Sequence, residues 1–303
     1  MKLVTYRSSK ASEARVGVIY NEQIVDIFKL GLELGFEFPV SMLEFIDQGP
    51  NAMQALNEGL AEVGEMMPPG VSIPEENSIL LAPIPMPRKN IFGIGLNYVE
   101  HVAESAKSLD TSKELPKKPV VFSKPPTAVI GPGDSIQHNS SMTQQLDWEV
   151  ELAVIIGKKA TRINKDTAMS HVFGYSIMND VSARDNRRAG QWIFSKGQDT
   201  FAPFGPCIVT ADEIVDPHNL NLWLTKNNVE KQNSNTKHLL FDIPTLISDI
   251  SSGMTLEPGD IIATGTPSGV GAGRDPQEWM WPGDVIECGI DGIGKLKNPV
   301  IAI

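Results

Sequence analysis

Two kinds of periodicity open the chain. Lys2–Tyr6 and Val16–Tyr20 alternate apolar and polar positions as half-buried strands do, whereas Ser41–Gln48 and Ala52–Val63 repeat at helical spacing. Prolines then break the pattern: "MMPPGVSIPEEN" and "APIPMPRKN" hold too many to sustain regular structure for long. These features predict a small N-terminal α/β domain over 1–75, a proline-rich linker over 76–89 and a larger domain over 90–303.

Beyond position 90 strand patterns dominate. "GPGDSI" (131–136), "EPGDIIATG" (257–265) and "WPGDVIECGI" (281–290) each place Pro then Gly ahead of a strand, suiting the central positions of a type II turn. Turns of this kind repeated in one segment predict a compact sheet roll or barrel and not a doubly wound parallel fold; the alternative is that Pro-Gly-Asp is simply common turn chemistry. The predicted class is α+β, mainly β. One helix is clear in "FDIPTLISDISSG": Asp242 caps it, Leu246, Ile247 and Ile250 share a face, and Gly253 stops it.

Composition narrows the partners. Hydrophobic residues at 41% and charged residues at 21% describe an ordinary globular chain, and a formal charge of −11 disfavours a nucleic-acid backbone as partner. No apolar run approaches the ~20 residues of a membrane helix, and the first residues lack the apolar core of a secretory leader. Cys207 and Cys288 stand far apart without zinc or redox spacing, so a reducing cytoplasm is the expected compartment. An anionic substrate would need positive charge supplied locally, by a few Lys or Arg side chains or by a metal.

Candidate chemistry starts at "LDWEVELAVIIGKKA" (146–160), where Glu149 and Glu151 precede an apolar strand. Residues two apart on a strand face the same side, about 6.6 Å apart along it, with Val150 and Leu152 opposite. Two such carboxylates repel each other and lose hydration, so either one takes up a proton or a cation sits between them. Asp180, at the end of the strand pattern Val172–Met178, offers a third oxygen ligand for a hard ion such as Mg2+ or Mn2+. The alternative is a solvated glutamate pair on an edge strand beside a turn aspartate.

Other segments add to the set. "IFGIGLNYVEHVAESAKS" (91–108) reads as a strand, a Gly-rich turn and a helix that Asn97 caps; His101 and Glu104 share a face of that helix and suit either a dyad whose carboxylate orients the imidazole or an ordinary surface pair. The following "SAKSLDTSKELPKKP" reads as a loop suited to be a lid. Lys196 lies in "QWIFSKGQDTFAPFGP", and "GDIIATGTPSGVG" carries hydroxyls at Thr264, Thr266 and Ser268 on a Gly-rich turn whose N–H groups suit an anion.

In this order and spacing, "GLNYVEH", "FSKPPTAVIGPGD", "LDWEVELAVIIG", "GYSIMNDVSARD", "SKGQDTFAPFGP" and "MTLEPGDIIATGTPSGVG" resemble the fumarylacetoacetate hydrolase family, over about 90 to 290. The resemblance implies a mixed β-sandwich roll as catalytic domain, usually in a homodimer, acting on a small 2-oxo acid. It implies Mg2+ or Mn2+ held by Glu149, Glu151 and Asp180, with His101, Glu104 and Lys196 as catalytic residues and Arg184, Gln191 and Thr266 contacting substrate. The implied activity is metal-dependent cleavage of the C–C bond of acylpyruvates or decarboxylation of oxaloacetate. The same fold also supports a 2-hydroxyhepta-2,4-diene-1,7-dioate isomerase, a hydratase or a non-catalytic scaffold. Two positions depart from the family pattern near the expected substrate: Leu96, where some acylpyruvate-cleaving members are basic, and Arg187, where many carry glutamine.

Overall fold

The first strand does more than close a hairpin. In the computed structural model, which describes residues 1–64, 66–108 and 114–303, Lys2–Arg7 pairs with Arg15–Tyr20, Leu3 opposite Val18. The same strand pairs antiparallel with Ala202–Thr210, Leu3 opposite Ile208. This seam fuses the N-terminal strands to the rest in one 12-stranded mixed sheet. Its order runs Ser72–Pro74, Gln23–Asp26, Arg15–Tyr20, Lys2–Arg7, Ala202–Thr210, Val172–Asn179, Val150–Ile156, Ile261–Ala263, Ile91–Gly95, Val120–Lys124, open at both ends, so it is not a closed barrel. Within the proline-rich stretch, Ile79–Leu81 is itself a strand paired with Thr5–Arg7.

A five-stranded sheet, ordered Val229–Asn235, Asn221–Lys226, Val285–Ile290, Gly294–Ala302 and Ile136–His138, shares its core with one face of the large one. Leu152, Val154 and Ile156 join Leu222, Leu224, Cys288 and Leu296 in that core. Ala153 and Ile155 belong to a second cluster with Phe45 and Leu56, from the helices Met42–Gln48 and Pro50–Val63. Burial on both faces is why the strand Val150–Ile156 reads as an unbroken apolar run after Glu151.

The three Pro-Gly turns share one construction. Gly133, Gly259 and Gly283 have φ of 80°, 85° and 97°, the left-handed region that glycine enters without strain. In each, the following aspartate accepts from a backbone N–H three residues back at 2.8 Å: Asp134 from Gly131, Asp260 from Glu257, Asp284 from Trp281. The helix Ile243–Gly253 has Asp242 as its cap, accepting from Thr245 N–H, and buries Leu246, Ile247 and Ile250. No helix among the described residues is long and apolar enough to cross a membrane.

Asn97 does not cap the helix that follows it. That helix spans Val99–Ser108, and its first turn closes from Val102 N–H onto the Tyr98 carbonyl. The buried Asn97 amide instead donates to the Thr264 carbonyl at 2.7 Å and the Phe241 carbonyl at 3.1 Å, and accepts from Phe241 N–H at 2.8 Å. It ties three segments together above the sheet. Asn97→Ala leaves those groups unpaired and should cost about 3 kcal/mol, read as a lower urea midpoint with unchanged slope.

Candidate active site

Register brings the acids together. Val150 pairs with Asn179 across the antiparallel ladder, and Asp180 N–H donates to the Glu149 carbonyl at 2.8 Å. The strand end therefore sets Asp180 beside the glutamates, and one oxygen from each of Glu149, Glu151 and Asp180 lies within 4.8 Å of the others, all buried. Both glutamates share parity with Ala153 and Ile155, away from the core between the sheets.

Basic side chains surround this cluster unevenly. Lys196, on the short helix Ile193–Lys196, donates to Glu149 Oε2 at 2.8 Å and Asp180 Oδ2 at 2.7 Å. Arg184 donates from Nη2 to Glu149 Oε1 at 2.6 Å and from Nε to Asp147 Oδ2 at 2.8 Å. Lys124, fully buried, donates to Asp180 Oδ1 at 2.5 Å and to the Val181 carbonyl. Glu151 accepts from Gly265 N–H at 2.8 Å, and among the described residues no basic side chain forms an ion pair with it.

The electrostatics follow from that asymmetry. Burial opposes ionisation of Glu149, but Lys196 and Arg184 hold its carboxyl well below the usual range. Burial, reinforced by repulsion from Asp180 and Glu149, pushes Glu151 well above it. Burial also depresses the Lys124 ammonium against the pull of Asp180, whereas Asp180 and Glu149 outweigh burial at Lys196 and raise it. Three converging carboxylates, one lacking a compensating cation, are an all-oxygen donor set that fits a hard divalent ion.

The helix Val99–Ser108 brings the dyad over the cluster. His101 Nδ1 lies 3.1 Å from Glu104 Oε2, and Nε2 lies 3.3 Å from Ser105 Oγ. His101, Glu149, Arg184, Lys196 and Thr266 line one cavity of about 450 Å³, counting the space at its mouth that is open to solvent. Glu104 also holds its helix in place, because its two oxygens share the Gly269 N–H at 3.0 and 3.2 Å. A methyl group on Gly273 would fall within the Glu104 side chain. Gly273→Ala should therefore undock the helix, with faster amide exchange over 99–106 and about tenfold lower turnover, while global stability changes by less than about 1 kcal/mol. The segment expected to form a lid lies partly outside the described residues, which omit 109–113.

The three residues expected to contact substrate are placed differently. Gln191 is exposed and lines a separate surface groove with Phe122 and Ile193. Left-handed Ala189 and Gly190, with φ of 48° and 77°, close a turn from Arg188 to Gln191 that carries it out of the cavity. Arg187 lines the cavity instead. Thr266 is present, but its hydroxyl donates to the Val150 carbonyl and accepts from Gln232. Arg184 is largely spent on Asp147 and Glu149, so it braces the acids as much as it faces a ligand. Lys124 and Asp147 were not singled out by sequence reasoning. Asp147 shares strand parity with Glu149 and Glu151, the signal that marks it; Lys124 has only its place at the end of the run "VVFSK".

Comparison with known proteins shows the family. The family profile "Fumarylacetoacetate (FAA) hydrolase C-terminal" matches residues 90–301. Oxaloacetate tautomerase YisK of Bacillus subtilis is 42% identical, with 93% of this chain and 94% of that protein aligned. Mitochondrial oxaloacetate tautomerase fahd2 of Xenopus laevis is 39% identical, covering 99% of this chain and 90% of that one. Among solved structures, maleylpyruvate hydrolase from Sphingobium sp. SYK-6, in complex with manganese(II) and pyruvate, superposes with a TM-score of 0.77 at 31% identity, covering 100% of this chain and 99% of that one. The chain belongs to the fumarylacetoacetate hydrolase family.

Proposed function

We propose that this protein is a divalent-metal-dependent enzyme that moves a proton at C3 of oxaloacetate and so interconverts its keto and enol forms. The observation that carries this reading is that Glu149 of the acid cluster and His101 of the His101–Glu104 dyad line one cavity. The curated relatives named as oxaloacetate tautomerases support the choice of substrate.

Glu149, Glu151 and Asp180 would hold Mg2+ or Mn2+, and the bound ion supplies a Lewis acid for the carboxylate and carbonyl of a 2-oxo acid. The chain's own groups do the rest. With Glu104 accepting from Nδ1–H, the His101 lone pair sits on Nε2, placed to take a proton from C3. In the enol direction the C3–H bond breaks and an O–H bond forms at the C2 oxygen; the reverse step returns the proton to C3. Lys196 and Arg184 hold Glu149 ionised throughout. The loop bearing Thr266 and the helix bearing His101 each contribute to the cavity wall.

The test is the decay of the ultraviolet enol band of oxaloacetate, with deuterium uptake at C3 followed by NMR. Acceleration with Mg2+ or Mn2+ that disappears in excess chelator is expected. No acceleration with either ion refutes the reading.

A second reading is cleavage beside the same carbon, by acylpyruvate hydrolysis or oxaloacetate decarboxylation. The pyruvate in the structural neighbour's complex favours it, because pyruvate is the fragment either cleavage would leave. Pyruvate release in the same incubations separates the two.

A further inference from the structure

Gln232 is a polar side chain at an apolar position. It lies on the strand Val229–Asn235 opposite Leu224, which belongs to the core between the sheets, and it is only 1% exposed. A leucine would fill such a position at lower cost, because a buried amide needs a partner for each polar atom. Gln232 has them. Its Oε1 accepts from Val150 N–H at 2.9 Å, and its Nε2 donates to Thr266 Oγ1 at 2.8 Å and to the Pro267 carbonyl at 2.9 Å. A backbone donor at one end and a backbone carbonyl at the other fix which way round the amide lies.

These contacts close a ring. Thr266 has one hydroxyl hydrogen, and it goes to the Val150 carbonyl at 2.9 Å while Gln232 donates to the oxygen. Val150 N–H, Gln232, Thr266 and Val150 C=O are thus joined head to tail. The Val150 N–H lies in the peptide plane that follows Glu149, and its C=O in the plane that leads into Glu151. Rotation about the two backbone bonds of Val150 sets the angle between the two glutamate side chains, and the ring holds both planes. Gln232 also steadies the loop beyond. Gly265 N–H donates to Glu151 Oε2, and the next two residues are the ones Gln232 bonds. A methyl group on Gly269 would fall on the Lys231 carbonyl, so this loop lies directly against the strand that bears Gln232.

We infer that Gln232 is a positioning residue: through Val150 and Thr266 it fixes the relative aim of Glu149 and Glu151, and so sets the affinity of the acid cluster for a divalent ion. This role rests on the metal-site reading above and adds to it a residue from the second sheet. Groups that hold metal-binding side chains in place account for about 10- to 100-fold in affinity. A tie that merely joined the two sheets would contribute to stability and leave metal affinity alone.

Mn2+ binding to the full-length protein without substrate, followed by the electron paramagnetic resonance of the free ion, separates these roles when the thermal midpoint of each metal-free variant is recorded alongside. Gln232→Met should weaken Mn2+ binding about 10- to 100-fold. Thr266→Val opens the ring from the other side and should do the same, whereas Thr266→Ser keeps the hydroxyl and should bind as the native protein does. Because either change opens one ring, the double variant should bind about as weakly as the weaker single variant, not with the product of the two losses. A lower midpoint with native Mn2+ affinity in Gln232→Met makes the residue a structural tie and overturns the inference, as do losses that multiply in the double variant. If Gln232→Met does not fold, the Thr266 pair decides, and equal affinity of Thr266→Val and Thr266→Ser overturns the ring. Native protein that takes up no Mn2+ overturns the metal reading itself, and this role with it.

Discussion

Replacing Glu151 by glutamine should stabilise the metal-free chain and at the same time abolish its response to Mg2+ or Mn2+. Most substitutions of a buried charged residue destabilise, so the sign is the informative part. Glu151 is buried beside Asp180 and Glu149 with only a backbone N–H donating to it, and its carboxyl is held well above the usual 4.5 by burial and by those two neighbours. Between 4.5 and the raised value, the folded chain carries a proton there that the unfolded chain has lost. Metal-free stability therefore falls as pH rises through that window. Glutamine keeps an oxygen for Gly265 N–H and removes the repulsion, which should raise stability by about 1 kcal/mol, or about 2 °C for a chain this long, and flatten the pH dependence. It also removes an ionic ligand. The native thermal midpoint should rise with added metal and that of Glu151→Gln should not, while turnover falls by about 1,000-fold or more. Calorimetric titration should show native metal uptake releasing about one proton. A variant that still binds metal at native affinity would show that the ion, if any, sits elsewhere.

His101→Ala should lower the rate of C3 proton exchange on oxaloacetate by about 100- to 10,000-fold, the usual worth of a positioned base. His101 is the cavity-lining group whose nitrogen has both a carboxylate to orient it and a face toward the acid cluster. The loss should fall on kcat, with metal affinity unchanged, because the ring bonds to Glu104 and Ser105 and not to the three acids. Any acylpyruvate hydrolysis should be hit harder than oxaloacetate decarboxylation, since only the former needs an attacking water. Proton exchange surviving in His101→Ala would move the base to another group on the cavity wall.

Local chemistry was legible in the sequence wherever a few neighbouring residues settle the outcome. Each Pro-Gly-Asp turn contains its own donor and acceptor within four positions, and the Asp242 helix carries its cap and its apolar face together. The glutamate pair was legible for the same reason, since strand parity alone puts both on one side. Asp180 joins them through one strand pairing, that of Val150–Ile156 with Val172–Asn179. The rest depends on distant partners. Lys124 reaches Asp180 only because Val120–Lys124 follows Ile91–Gly95 and Ile261–Ala263 across the sheet. Asn97 has a good capping side chain, but carbonyls from Thr264 and Phe241 compete for it and win. Gln191 lies outside the cavity and Arg187 on its wall because of the backbone of one tight turn, which composition does not reveal.

The seam between Lys2–Arg7 and Ala202–Thr210 bears on how the protein can be cut. A fragment trimmed to the family match at residue 90 would leave Ala202–Thr210 with a bare, mostly apolar border, open to another molecule's strand. Such a fragment would be prone to aggregate in an expression host, and an engineered version would need a substitute strand grafted along that border.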